Sequence, residues 1–79
     1  MEKIEILEIL QSIVRYAIDN DELVIDEDTV ATDVEGWDSL AQLLIVGELQ
    51  NKFGVKFSSK EIGYFANVGE LVNAIQTKL

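Results

Sequence analysis

Few residues of this chain could do chemistry, and the best placed of them is a serine. Ser39 stands where Glu35-Gly36-Trp37-Asp38, the end of a stretch crowded with carboxylates, meets the nearly uncharged run from Leu40 to Phe53. A hydroxyl at a helix N-terminus lies among free backbone N–H groups and the positive end of the helix dipole, which suits a phosphate ester. The same position suits a plain cap. Ser39 with Gln42 makes a possible capping box, worth about 1 kcal/mol. Asp38 is an alternative N-cap, and if it caps, Ser39 becomes the first helical residue with its hydroxyl free.

Other chemistries fail for want of partners. The chain has no histidine and no cysteine, so it lacks the usual general base near neutral pH, a thiolate nucleophile and the commonest metal ligands. Ser39 as a hydrolytic nucleophile would have no nitrogen base closer in sequence than Lys52, thirteen residues on. Its surroundings are also not a Gly-x-Ser-x-Gly elbow. Asp33, Glu35 and Asp38 lie close together, but nothing in that polar sequence would raise a pKa. An EF-hand started at Asp19, Asp21, Asp26 or Asp28 finds no glycine at its sixth position and no glutamate at its twelfth. Asp26, Glu27 and Asp28 read as a solvated turn. No catalytic residue and no metal site is expected.

The elements that must position Ser39 are helical. Ile4, Leu7, Leu10, Val14, Ala17 and Ile18 recur at helical spacing, with Ile6, Ile9 and Ile13 widening the stripe, and predict a helix over residues 2–18. Residues 19–38 keep no helical period and form a long loop, anchored by Leu23, Val24, Ile25, Val30 and Val34, with a turn of helix at 26–30. A second helix runs from Ser39 to Phe53. Gly47 in its interior costs up to about 1 kcal/mol relative to alanine, which a close packing contact or a partner's approach would explain. Gly54 ends that helix, with Val55 folding back. Ser58 with Glu61, stapled by Phe57 and Ile62, opens a short helix over 59–65 interrupted at Gly63, and Asn67 with Glu70 opens a last helix over 68–78. The expected fold is all-α: a four-helix bundle of three longer helices and one short one, with the long loop between helices one and two. Its core is expected to hold Leu7, Leu10, Val14, Val46, Leu49, Phe53, Leu71 and Ile75.

The 79 residues make one domain, 1–79, and 48% are hydrophobic, ample for a compact core. No secretory leader is evident, and the longest apolar block, Leu43 to Gly47, cannot span a bilayer, so a soluble, cytoplasmic monomer is expected. Fifteen acids against six bases give a net charge of −9, which repels nucleic acid and anionic membranes. Nine of those acids fall between Asp19 and Asp38, and no Lys or Arg occurs between Arg15 and Lys52. Such clustering steers basic partner surfaces toward one side of the molecule.

Asp38-Ser39-Leu40 at the start of an apolar second helix, with the Gly36-Trp37 lead-in, Phe53-Gly54-Val55 after the helix and the capped helices beyond, resembles the acyl carrier protein family over nearly the whole chain. The resemblance implies that Ser39 is esterified with 4′-phosphopantetheine by a phosphopantetheinyl transferase acting on coenzyme A. The thiol of that arm would carry acyl groups as thioesters, so that the cofactor supplies the reactive atom and the protein the tether and address. Family partners, acyl-loading and acyl-transferring enzymes, meet the second helix with basic patches, which implies a partner surface of Trp37, Asp38, Leu40, Leu44 and Glu48. Where fatty-acid-synthesis members commonly show acids, this chain has Ala41, Leu44, Gln50 and Asn51. That departure points to a specialised carrier, and the Trp37-Asp38-Ser39-Leu40 lead-in resembles small stand-alone carriers of dedicated pathways, which implies a polyketide-like, modified fatty acid or polysaccharide-linked type. The alternatives are a peptidyl or aminoacyl carrier, and a small helical adaptor whose acidic face binds a basic partner without covalent chemistry.

Overall fold

The computed structural model describes residues 1–62 and 65–79, with the side chain of Ile62 also outside the description. Among the described residues the chain forms four helices and no strand: α1 (Lys3–Ile18), α2 (Ser39–Phe53), α3 (Ser59–Ile62) and α4 (Val68–Lys78). The expected break at Gly63 lies outside the described residues. Phe65, expected to end α3, is not helical.

Helix α1 packs along both α2 and α4, while α3 rests on α2. The α1 residues that reach the centre are Ile6, Leu10 and Val14, spaced by four, where they meet Ile45, Leu49, Val72 and Ile75, all fully buried. Leu7 and Phe53, expected in the core, are only half-buried at its edge, and Ile4 is exposed. An apolar stripe this wide leaves its centre to be fixed by the neighbouring helices.

The long loop is a strap. It forms no helix over 26–30; Asp26 instead closes a turn, accepting from the Asp28 N–H at 2.9 Å and from the Thr29 N–H through its own carbonyl at 3.2 Å. A single 3₁₀ turn follows at Ala31–Asp33. Four hydrogen bonds tie the loop down. The Arg15 guanidinium donates to the Leu23 carbonyl at 2.6 Å, and the Ile25 N–H donates to Gln11 Oε1 at 2.9 Å. On the other side the first N–H groups of α4, Val68 and Gly69, donate to the Thr29 and Glu27 carbonyls at 2.8 Å each. Helix-terminal donors that would otherwise be orphaned are thereby satisfied by the loop. Ile25 is the loop's buried anchor; Val24, expected to be another, points to solvent.

Capping signals read from sequence hold at three helix ends. Gly54 adopts φ +67° and stops α2, with Val55 buried behind it. Ser58 and Glu61 exchange hydrogen bonds at 3.0 and 3.2 Å. Asn67 Oδ1 accepts the Glu70 N–H at 2.9 Å, although the Glu70 carboxylate turns to the Ala66 N–H rather than closing a box. Glu61 also pairs with Lys78 at 2.9 Å, which joins α3 to the end of α4. Lys78 Nζ lies 5.3 Å from the centre of the Phe57 ring, and Phe57 meets Phe65 edge-on at 5.9 Å.

The Ser58 N–H first, and then Lys78, hold the Glu61 carboxyl below its ordinary value. A depressed acid stabilises the fold above its unfolded pKa and loses that contribution as pH falls through the folded value. Acidification should therefore release the start of α3. The Glu61 carboxyl, followed by NMR titration, should move up toward its ordinary value in Lys78→Ala. An unshifted titration in that variant would remove Lys78 from the account.

Candidate functional site

Helix α2 begins with a division of labour between two adjacent polar residues. Asp38 is the N-cap: its backbone is extended, and its Oδ1 accepts the Ala41 N–H at 2.9 Å. Ser39 is therefore the first helical residue, exposed, and no described residue bonds its hydroxyl. The N–H groups of Ser39 and Leu40 likewise have no described acceptor, while those of Ala41 and Gln42 go to Asp38. A free hydroxyl beside free helix-terminal donors fits a phosphate ester attached there. By contrast, Ser12 donates to the Glu8 carbonyl and Ser58 is occupied as a cap.

Of the two possible caps it is Asp38 that forms, and the Ser39–Gln42 capping box does not. Gln42 Oε1 instead accepts the Trp37 indole N–H at 2.7 Å. Trp37 and Gln42 stand at the two positions that a hydrophobic staple would use, so a polar bridge fixes the chain's entry into α2. Gly36 just before it has φ +92°, and a Cβ there would lie 3.3 Å from Ile18 Cβ. Only glycine enters this conformation freely while backing onto the end of α1.

Of the expected partner surface, Asp38, Leu40, Leu44 and Glu48 are exposed, with Leu40 at 79% and Leu44 at 43%. Trp37 is not part of that surface. Its ring is buried, 9% exposed, because the indole fills the space between the loop and α2. Leu43, not among the expected partner residues, is 60% exposed and lies one turn beyond Ser39 on the same face. Two of the positions read as missing acids are turned at least partly inward. Ala41 is buried, and Gln50 Oε1 accepts the Phe57 N–H at 2.9 Å, leaving Leu44 and Asn51 as surface departures.

A cleft of about 590 Å³ opens beside Ser39. Ala31 and Thr32 of the loop, Trp37, Gln42 and Leu43 form one side, and Phe65, Val68 and Leu71 form the other. On the opposite flank a shallower hollow lies between Ile18, Asp19, Gly36, Asp38, Leu40 and Leu44.

The nine acids of Asp19 to Asp38 are all exposed, and the only ion pair among the described residues is Lys78–Glu61. The loop's charge is thus uncompensated, and raising ionic strength from low to moderate should raise Tm by screening it. A constant or falling Tm in a salt series would show that this repulsion does not limit stability.

No described helix is long and apolar enough to cross a membrane, and no group of three potential metal ligands occurs among the described residues. No match to a curated protein was found. The family model described as "Phosphopantetheine attachment site" matches residues 5–75. The solution NMR structure of a holo acyl carrier protein from Geobacter metallireducens is similar, with a TM-score of 0.82 and 32% sequence identity over 91% of this chain and 83% of that one. A match across nearly the whole chain, joined to the helix order above, places the chain in the acyl carrier protein family, whose members bear a covalently attached phosphopantetheine.

Proposed function

We propose that Ser39 is the attachment point of the phosphopantetheine arm and that the protein is a carrier of acyl thioesters, not an enzyme. The observation that carries this reading is the cap. Because Asp38 takes the Ala41 N–H, the Ser39 hydroxyl is exposed and, among the described residues, has no bonding partner, and the Ser39 and Leu40 N–H groups beside it have no described acceptor. With no histidine or cysteine in the chain, nothing near Ser39 activates it. A transferase must supply the base, and the reactive thiol must come with the arm.

Partner enzymes would meet the face that continues from Ser39 along α2: Leu40, Leu44 and Glu48, with Asp38 at its head. Trp37 supports that face from beneath. With Glu48 as the one acid on the exposed side of α2, contact there is mainly apolar, while the loop's carboxylates supply long-range attraction for basic partners. Such a surface favours a dedicated biosynthetic pathway of polyketide-like, modified fatty acid or polysaccharide-linked type. A monomer in the cytoplasm, where coenzyme A is at hand, completes the reading.

Incubation with coenzyme A and a permissive phosphopantetheinyl transferase tests it. The intact mass should rise by one phosphopantetheine, and fragmentation should place the gain on Ser39. A gain on Ser12, Ser58 or Ser59, or no gain with two different transferases, would overturn the assignment.

A further inference from the structure

We infer that the hydrogen bond between Trp37 and Gln42 is a positioning device for arm attachment: it spans Ser39 and fixes the direction from which the serine hydroxyl is offered. Trp37 and Gln42 act through Ser39 and are positioning residues. The inference rests on the carrier reading with Ser39 as the attachment point.

Attachment forms a bond from Ser39 Oγ to the pantetheine-bearing phosphorus of coenzyme A. The pyrophosphate P–O bond breaks, adenosine 3′,5′-bisphosphate leaves, and the serine proton passes to a base of the transferase. Such a displacement needs the attacking oxygen in line with the leaving one, and a misplacement of about 1 Å can cost on the order of 100-fold. The Ser39 hydroxyl is exposed and no described residue bonds it, so no bond to the hydroxyl itself holds that line. Its direction is inherited from the backbone around it.

Two kinds of bond surround Ser39. Asp38 accepts the Ala41 N–H at 2.9 Å through its side chain and the Gln42 N–H at 2.8 Å through its carbonyl. Both lie within the helix start and would turn with it. The Trp37–Gln42 bond differs, because at 2.7 Å it joins the last loop residue before the cap to a residue one turn into α2. Ser39 lies inside the ring that this bond closes. Trp37 is itself anchored in the loop, its indole buried and its backbone N–H donating to the Val34 carbonyl at 3.1 Å. Val34 in turn closes the 3₁₀ turn by donating to the Ala31 carbonyl at 3.0 Å. An apolar staple at these two positions would be non-directional. A short bond from indole to amide is directional, so it sets the rotation of the helix start against the loop as well as its distance. Burial accounts for the ring of Trp37. It does not account for Gln42, a polar residue where a staple calls for an apolar one.

The test follows arm transfer to the full chain by intact mass under single turnover, with coenzyme A and a permissive phosphopantetheinyl transferase in excess. A series of transferase concentrations separates the maximal rate from the concentration at half-saturation. Gln42→Leu removes the acceptor, and Trp37→Phe keeps a ring without the donor. Each should lower the maximal rate by roughly 10- to 100-fold and leave half-saturation within about twofold. Gln42→Glu keeps an acceptor oxygen at the same reach and should stay within about threefold of the wild-type rate. The single indole N–H resonance, Trp37 being the only tryptophan, should lie downfield in the wild type and Gln42→Glu and move upfield in Gln42→Leu. Ile75→Val, a core change in α4, should lower Tm and keep the wild-type maximal rate.

An indole resonance unmoved in Gln42→Leu would show that the bond is not formed in solution. A loss confined to half-saturation would make the pair a docking element, and an equal slowing in Ile75→Val would reduce the effect to stability. Gln42→Glu as slow as Gln42→Leu would remove the accepted bond as the cause. Each of these outcomes overturns the inference. Should Trp37→Phe fail to fold, the two Gln42 variants still decide it. Failure of wild-type Ser39 to accept any arm refutes the carrier reading itself, and is distinct from slow loading that runs to completion.

Discussion

Ser39→Ala is expected to lose phosphopantetheine loading completely while remaining within about 0.5 kcal/mol of wild-type stability. Asp38→Ala should do the reverse in stability. Losing the cap bond to the Ala41 N–H should cost about 1 kcal/mol, within the usual range of 0.5–2 for an N-cap. For a domain of this size that is a fall in Tm of roughly 4–8 °C. Ser39 would still be loaded, though more slowly, since its helix start frays and a negative charge beside it is lost. The pair separates chemistry from capping. In a carrier the two roles fall on adjacent residues; in an adaptor with Ser39 as its cap, Ser39→Ala would be the destabilising change. Thermal melts of both variants, run with the mass assay, measure this directly. A destabilised Ser39→Ala beside a neutral Asp38→Ala would contradict the cap geometry and return Ser39 to a structural role.

The same small substitution at two glycines should act with opposite signs. At Gly69 in α4, an added Cβ would lie 2.9 Å from the Glu27 carbonyl oxygen, the atom that accepts the Gly69 N–H. Backbone cannot rotate away as a side-chain tip can. Gly69→Ala must push the loop off α4, straining both strap bonds, at about 1–3 kcal/mol. At Gly47 in α2, nothing lies within 4 Å of an added Cβ. Gly47→Ala should therefore raise stability by up to about 1 kcal/mol through helix propensity and a less flexible unfolded chain. Urea melts of the two variants should lie roughly 1–4 kcal/mol apart. Equal effects would mean that the loop gives way freely at Gly69, and so does not act as a strap. Among the described residues nothing makes the internal packing contact that Gly47 suggested. If a partner approaches closely at Gly47, Gly47→Ala should weaken that complex while strengthening the fold.

Much of the architecture was legible because it is local. The ends of α2 and α4 fell on the expected residues, since Asp38, Gly54 and Asn67 act on donors and acceptors within a few positions along the chain. The place of Ser39 at the head of α2 followed from the same local rules. Where the sequence offered two caps, however, it had no means to choose. Asp38 and Ser39 compete for one position, and the choice depends on how the chain enters the helix. That entry is set by Gly36 backed against Ile18 and by the Trp37–Gln42 bridge.

The loop was the least legible part, for a physical reason. Its conformation is held by Arg15, Gln11 and the first N–H groups of α4, partners distant in sequence that leave no periodicity behind. The burial of Trp37 belongs to the same class. An aromatic residue beside a surface serine reads equally well as a contact residue or as a core one until the neighbouring helices are in place. So does the choice among the nine apolar positions of α1, of which Ile6, Leu10 and Val14 face inward and Ile4 does not.

By itself, then, the sequence determined the helix types, their ends, the acidic field and the serine that could bear an arm, because each depends on residue chemistry at short range. Tertiary structure alone decided which residue caps α2, where the loop is strapped, and that Trp37 lines the cleft beside Ser39 from within. Those outcomes depend on which distant groups meet, and only the packed helices bring them together.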